Sequence, residues 1–245
     1  MPGKALVTVS RRRFLEVAAC AVPGALASGH WTGYRPPAPA AGPACALVDL
    51  GTDCVLPESR SGFARALAMA NVPFLPSPVE RIAELVLSAD SSRHNVILIP
   101  GGVLRSPDVA GALRRLTDRG ATVVYESGAA YTDAGGFASE RNLLQRYFGI
   151  RLEAPVELWN LEASLESFPY VHYDWPERLA VRDFSRVLPV LSPQRAFATL
   201  DRMAVAERVR LGAGEFIFLG SPLGSHLGLG DREALALMKA FVSAS

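Results

Sequence analysis

The chain has little of what redox, metal and nucleic-acid chemistry require. Three cysteines and four histidines are spread over 245 residues, and His30, His94, His172 and His226 form no pair at a metal-ligand spacing. No metal site is expected, and no motif calls for a cofactor. Apolar runs are short: none reaches the ~18 residues of a membrane-spanning helix. Basic runs are missing beyond the N-terminus. Residues 1–27 hold Lys4, Arg11, Arg12 and Arg13 against Glu16, a net charge of +3, which leaves 21 basic and 23 acidic side chains in the rest. A slightly acidic body offers no electrostatic footprint for nucleic acid. Disorder is excluded as well, since 49% of residues are hydrophobic and 20% charged. The length beyond the first 43 residues suits one well-cored domain better than two.

The N-terminus is organised. Ser10-Arg11-Arg12-Arg13-Phe14-Leu15-Glu16 is followed by a weakly apolar stretch, Val17 to Ala27, and by Ala25-Leu26-Ala27 before Ser28. This order of charge, apolar segment and small-residue cleavage site resembles a twin-arginine signal peptide, with Glu16 where such signals carry Lys. The resemblance implies passage through the twin-arginine translocation machinery and a periplasmic or secreted protein. Val17-Ala18-Ala19-Cys20 also resembles a lipoprotein box, and a cytosolic amphipathic helix is a further alternative. Residues 28–43, rich in Pro, Ala and Gly, read as a linker, and 44–245 as the folded domain.

Along the domain, apolar strand-like runs alternate with helical spacing. Strands are expected at 44–50, 72–75, 95–99 and 121–125, and a late one at 215–219. Helices are expected at 62–71, from Ser77-Pro78-Val79-Glu80 onward, from Ser106-Pro107 to Gly120, at 140–148 and at 231–242. Such alternation predicts an α/β fold, a doubly wound, mostly parallel sheet with helices on both faces. Residues 150–210 yield only short strand-like pieces among prolines. The aromatic-rich Pro169–Pro176 reads as a loop packed on the core, a lid or a subunit contact. Cys45 and Cys54 are expected to be free thiols. Five residues of strand climb about 17 Å, and the four that follow return at most about 14 Å.

Three segments carry a family resemblance: Asn95-Val-Ile-Leu-Ile-Pro-Gly-Gly102, Gly120-Ala-Thr-Val-Val-Tyr-Glu-Ser-Gly-Ala129 and Phe216-Ile-Phe-Leu-Gly-Ser-Pro222. Together they resemble the class I glutamine amidotransferase-like superfamily, which includes the DJ-1/PfpI proteins. The resemblance implies a flavodoxin-like fold with a ligand site at the carboxyl ends of the strands. It also exposes departures. Glu126 stands where the family's nucleophilic Cys would, and Gly220-Ser221-Pro222 supplies neither its His nor its Glu. Glutamine hydrolysis does not carry over, because a carboxylate is a poor substitute for a thiolate nucleophile.

In an open parallel sheet, ligands bind beyond the carboxyl ends of the strands. Those ends hold Asp49, then Gly101, Gly102 and Arg105, then Glu126 and Ser127, then Ser221 and His226. Asp49, Gly101, Gly102, Arg105 and Ser221 are candidate ligand contacts for a small polar molecule or a partner protein. The alternative is that the two glycines serve only to turn the chain. Glu126, Ser127 and His226 are candidate catalytic residues. Ser127 would be a hydrolase nucleophile with His226 as base and Asp49 or Glu126 as orienter, although the hydrolase pattern Gly-x-Ser-x-Gly is not met. Alternatively Glu126 acts as acceptor or base, or braces its own turn.

Overall fold

A computed structural model describes residues 44–88, 95–160, 169–183, 185–191 and 195–243. The segments read as a leader (1–27, with Cys20) and a linker (28–43) lie outside the described residues.

The first half follows the expected alternation. β1 (Ala44–Asp49), β2 (Phe74–Pro78), β3 (Asn95–Gly102) and β4 (Thr122–Ser127) are separated by α1 (Pro57–Met69), α2 (Ile82–Ser88) and α3 (Pro107–Asp118). After α4 (Ala134–Phe148) come β5 (Val156–Glu157), β6 (Tyr170–Tyr173), β7 (Leu179–Arg182), β8 (Arg186–Val187), β9 (Ala196–Leu200), β10 (Met203–Leu211) and β11 (Gly214–Leu219). Two helices, α5 (Gly224–Leu229) and α6 (Arg232–Ser243), follow. Nine strands form one sheet in the order β2-β1-β3-β4-β11-β10-β9-β6-β7, and β5 pairs with β8 separately. The five strands from β2 to β11 run parallel. The four beyond β11 are antiparallel. The fold is thus mixed α/β, and the parallel sheet expected from the sequence makes up one half of it.

Two apolar layers clamp the sheet. On one face α2, α3 and α4 deliver Ile82, Leu113, Leu116, Leu144 and Phe148 against Ile97, Val123, Tyr125, Phe216 and Phe218. On the other face Phe63 and Leu67 of α1, Leu227 of α5 and Leu237, Met238 and Phe241 of α6 meet Leu98, Val124, Ile217 and Leu219. Alternate residues of β4 therefore belong to opposite layers, as the two-residue period of a strand dictates.

Local signals succeed where side chains make the bonds. Ser106 accepts from the Val109 N–H with Pro107 at the first helical position, Gly149 ends α4 in the left-handed conformation at φ 72°, and Asp231 caps α6 through the N–H groups of Glu233 and Ala234. Two boundaries are corrected. Ser77 and Pro78 do not open a helix; they pair with Val48 and Asp49 as the end of β2. Helix α1 begins at Pro57, five residues before the expected start at Gly62; Leu56 precedes it and no side chain caps it, so its start carries no polar capping signal. The aromatic segment does pack onto the core, but part of it is a strand and not a loop. Tyr170 to Tyr173 form β6, and Trp175 stacks on Phe241 with ring centroids 5.7 Å apart. Cys45 and Cys54 are free thiols, and burial pushes the Cys45 thiol up to about 12.

Candidate functional site

The strand order reverses between β1 and β3, where a ligand crevice is expected. Here the chain fills that place itself. The segment after β1 folds over the end of β3: the N–H groups of Val55 and Leu56 donate to the Gly101 carbonyl at 2.9 and 3.2 Å, and Val103 N–H donates to the Asp53 carbonyl at 2.8 Å. Gly101 has φ 58°, and a Cβ there would lie 2.6 Å from the Leu56 Cβ. A Cβ on Gly102 would overlap the Leu50 side chain. Both glycines accordingly serve close approach of this segment. Asp49 pairs with Arg60 and accepts from the Gly51 N–H. Arg105 pairs with Asp53 at 3.2 Å and donates to Thr132 Oγ1 at 2.8 Å. These two charged candidates sit at the rim, already partnered.

The end of β4 places Glu126 and Ser127 on opposite faces of the sheet. Glu126 points toward α1 and α5. Its Oε1 accepts from Ser59 Oγ at 2.5 Å and its Oε2 from the Gly224 N–H at 3.0 Å. The residue is 1% exposed. Burial pushes its carboxyl up to about 7, against the opposing pull of the Ser59 and Gly224 donors, with the nearby Glu58 charge raising it further.

Ser127 points toward α4. Its hydroxyl donates to Glu140 Oε1 and accepts from the Ala129 N–H at 3.1 Å. Glu140 Oε2 also accepts from the Leu104 N–H at 2.9 Å and lies 2.5 Å from the Tyr125 hydroxyl. That hydroxyl in turn lies 2.8 Å from the Gly102 carbonyl. A phenol has one proton for these two acceptors, so both contacts are satisfied together only when Glu140 itself carries a proton. Burial acts in the same direction, pushing the Glu140 carboxyl up to about 7 despite the Ser127, Tyr125 and Leu104 donors and the Arg105 charge.

A third buried carboxylate lies beyond β11. Asp183 accepts from Ser221 Oγ at 2.5 Å through one oxygen and from the N–H and hydroxyl of Ser185 through the other. Tyr173, also buried, has its phenol raised by burial and by the charges of Asp183 and Glu126. Glu126, Tyr173, Asp183 and Ser221 thus form a polar cluster at the ends of β4 and β11, each with at most 4% of its surface exposed.

The candidates therefore part company. Glu126 and Ser221 are brought to one cluster, while Ser127 is bound to Glu140 across the sheet. His226 lies half-buried on α5, and no hydrogen bond joins its ring to Ser127 or Glu126. A Ser127–His226 nucleophile pair is not formed. Sequence reasoning missed Ser59, Glu140 and Asp183. Glu140 carried a usable signal, an acid whose neighbours three and four positions away along the helix include Phe137, Leu143 and Leu144. Ser59 and Asp183 carried none, because their partners are 67 and 38 residues away. Among the described residues no group of three His, Cys, Asp or Glu side chains is placed to hold a metal ion. No helix among them is long and apolar enough to cross a membrane. A small cavity of about 160 Å³ lies at the β2 edge among Leu75, Ser77, Arg81, Glu84 and Leu85. It falls short of the roughly 300 Å³ at which ligand pockets begin.

No protein-family model matches the sequence, and no curated protein matches it. Solved structures do share its fold. A β-galactosidase from the Antarctic haloarchaeon Halorubrum lacusprofundi aligns with a TM-score of 0.57 at 15% identity over 81% of this chain and 30% of its own. An exo-β-1,4-mannosidase from an Opitutaceae bacterium, strain TAV5, gives 0.55 at 11% identity over 83% of this chain and 35% of its own. A ThuA-like protein from Bacteroides uniformis gives 0.51 at 13% identity over 85% and 94% of the two chains. The chain thus spans about a third of the length of the two glycosidases. Since β2 and β7 are both open edges, the described residues do not close into a barrel. These neighbours correct the resemblance to the class I amidotransferase-like superfamily and its DJ-1/PfpI members: among the similar structures are glycosidases and a ThuA-like protein. At these identities they show the fold alone.

Proposed function

We propose that this chain is an exported, non-catalytic binding domain on a flavodoxin-like scaffold, taking a small polar ligand or a partner at the carboxyl-end face of its sheet. The scaffold reading is supported by the strand order β2-β1-β3-β4-β11, which repeats the 2-1-3-4-5 order of that class, and by the ThuA-like neighbour that aligns over nearly its whole length.

The observation that carries the non-catalytic reading is the self-satisfaction of the strand ends. A nucleophile or general base must reach a substrate atom, directly or through one water. Glu126, Ser127 and Ser221 are buried and spend their hydrogen bonds inside the protein. A glycosidase would need two carboxyl groups flanking one sugar bond. Glu126 and Glu140, whose carboxyls burial raises most, face opposite sides of the sheet.

The test is turnover. The purified protein is incubated with chromogenic esters and chromogenic β-galactoside and β-mannoside, beside Ser127→Ala and Glu126→Gln. No hydrolysis above the buffer rate is expected. Turnover lost in either variant would overturn the reading. Export is tested separately by replacing Arg11 and Arg12 with Lys, which is expected to hold the precursor in the cytoplasm; undiminished export would remove that part.

A further inference from the structure

Beyond the buried cluster, the same end of the sheet presents a half-exposed surface that the sequence did not reveal. It is built around Arg186 on β8. The guanidinium carbon lies 5.3 Å from the Trp159 ring centroid and 6.0 Å from that of Tyr131. One nitrogen pairs with Glu157 Oε1 at 2.6 Å and another donates to the Ala130 carbonyl at 3.3 Å. Its Nε–H is buried and has no acceptor. Trp159 is 49% exposed.

The surface is held rigidly. Glu157 and Arg186 are direct partners across the β5–β8 ladder. The Tyr131 hydroxyl accepts from the Arg186 N–H at 3.0 Å, and Leu158, beside Trp159, is buried in the core. Asp183 links Ser185, just before β8, to Ser221, just after β11. The platform is thereby anchored to the carboxyl ends of β4 and β11, where open α/β sheets receive ligands.

We infer that Trp159, Arg186, Glu157 and Tyr131 form a binding platform for a neutral saccharide. The chemistry selects the ligand. A large exposed aromatic surface suits the apolar face of a pyranose ring, as ligand sites pair apolar walls with a few placed polar groups. Glu157 accepts and Arg186 donates side by side, the pair that vicinal hydroxyls satisfy. Because the two charges neutralise each other, an anionic ligand gains nothing from the arginine that Glu157 has not already taken. The inference rests on the non-catalytic reading above and gives it a ligand class.

Isothermal titration with cellotetraose, mannotetraose and galactotetraose tests it, alongside tryptophan fluorescence. At least one sugar is expected to bind and to perturb the emission. Trp159→Ala is expected to weaken binding by about tenfold or more, and Arg186→Lys by about fivefold, since lysine lacks the planar fork. Both side chains are partly exposed, so both variants are expected to fold, checked by an unchanged Tm. Leu229→Ala, at an 85% exposed site on α5, is the control and is expected to bind as wild type. Failure of all three sugars to bind, or equal binding by Trp159→Ala, overturns the platform. Binding accompanied by cleavage of the sugar keeps the platform and overturns the non-catalytic reading instead.

Discussion

Glu126 ties three elements together. Its carboxylate joins the end of β4 to Ser59 in the first turn of α1 and to the backbone of Gly224 at the start of α5. Removing the acceptor leaves both donors buried without a partner, at roughly 1–3 kcal/mol each, and opens a cavity. Glu126→Ala is therefore expected to lower the unfolding free energy by about 2–4 kcal/mol in urea titrations. Glu126→Gln keeps an acceptor for Gly224 and can turn its amide N–H toward Ser59 Oγ, so its loss near pH 5 is expected to stay within about 1 kcal/mol. An alanine variant as stable as wild type would show that the tie carries no weight. The importance of this position was legible in the sequence, because an acid ends an apolar, β-branched run. Its partners were not, since a hydrogen bond between residues 67 or 98 positions apart leaves no periodic trace. The split between Glu126 and Ser127 was legible in principle from the two-residue period alone.

At the scale of elements, the site is closed by a glycine seam. Helices α1 and α5 touch through Gly62, Gly224 and Gly228. A Cβ on Gly62 would overlap the Gly224 carbonyl and lie 2.9 Å from the Gly228 nitrogen, both backbone atoms that cannot swing away. Gly62→Ala is expected to cost about 3 kcal/mol or more, by overpacking against backbone. Gly149→Ala is the comparison: its left-handed φ is strained for alanine, but nothing lies within 4 Å of the new Cβ, so about 1 kcal/mol is expected. Equal losses in the two variants, read from urea midpoints, would refute the seam. These contacts explain which elements could be read from sequence. Helix α3 announced itself through Ser106 and Pro107, whose side chains do the capping. Helix α1 starts after Leu56 with no polar cap, and the same Ser-Pro pattern at Ser77-Pro78 was overridden by the ladder to β1.

For the molecule as a whole, the parallel half was readable and the antiparallel half was not. The buried parallel strands β1, β3, β4 and β11 are mainly apolar runs of six to eight residues. Strands β5 to β9 have two to five residues each, too short to show a period. β10 is longer, but its pairing with β9 shifts register between Ala204 and Glu207. That half supplies Asp183, Tyr173 and Arg186, so the polar cluster and the aromatic platform were hidden with it. The whole domain also inherits a pH dependence from Glu126 and Glu140. Both carboxyls stand at about 7 in the folded state against 4.5 as the ordinary value. Between these limits the folded chain keeps protons that the unfolded chain has released. Stability must then fall as pH rises from about 4.5 to about 7 and level off above, the reverse of an ion-paired acid. Each group contributes a fall on the order of 3 kcal/mol. Urea unfolding at about pH 5.5 and about pH 8 is expected to show the higher midpoint at the lower pH. Neither amide of a Glu126→Gln, Glu140→Gln double variant titrates, so most of the difference is expected to vanish, and the double variant should exceed wild type at pH 8. A wild-type midpoint that is equal or higher at pH 8 would mean that both carboxylates stay ionised when buried, with their donors fully offsetting the loss of water.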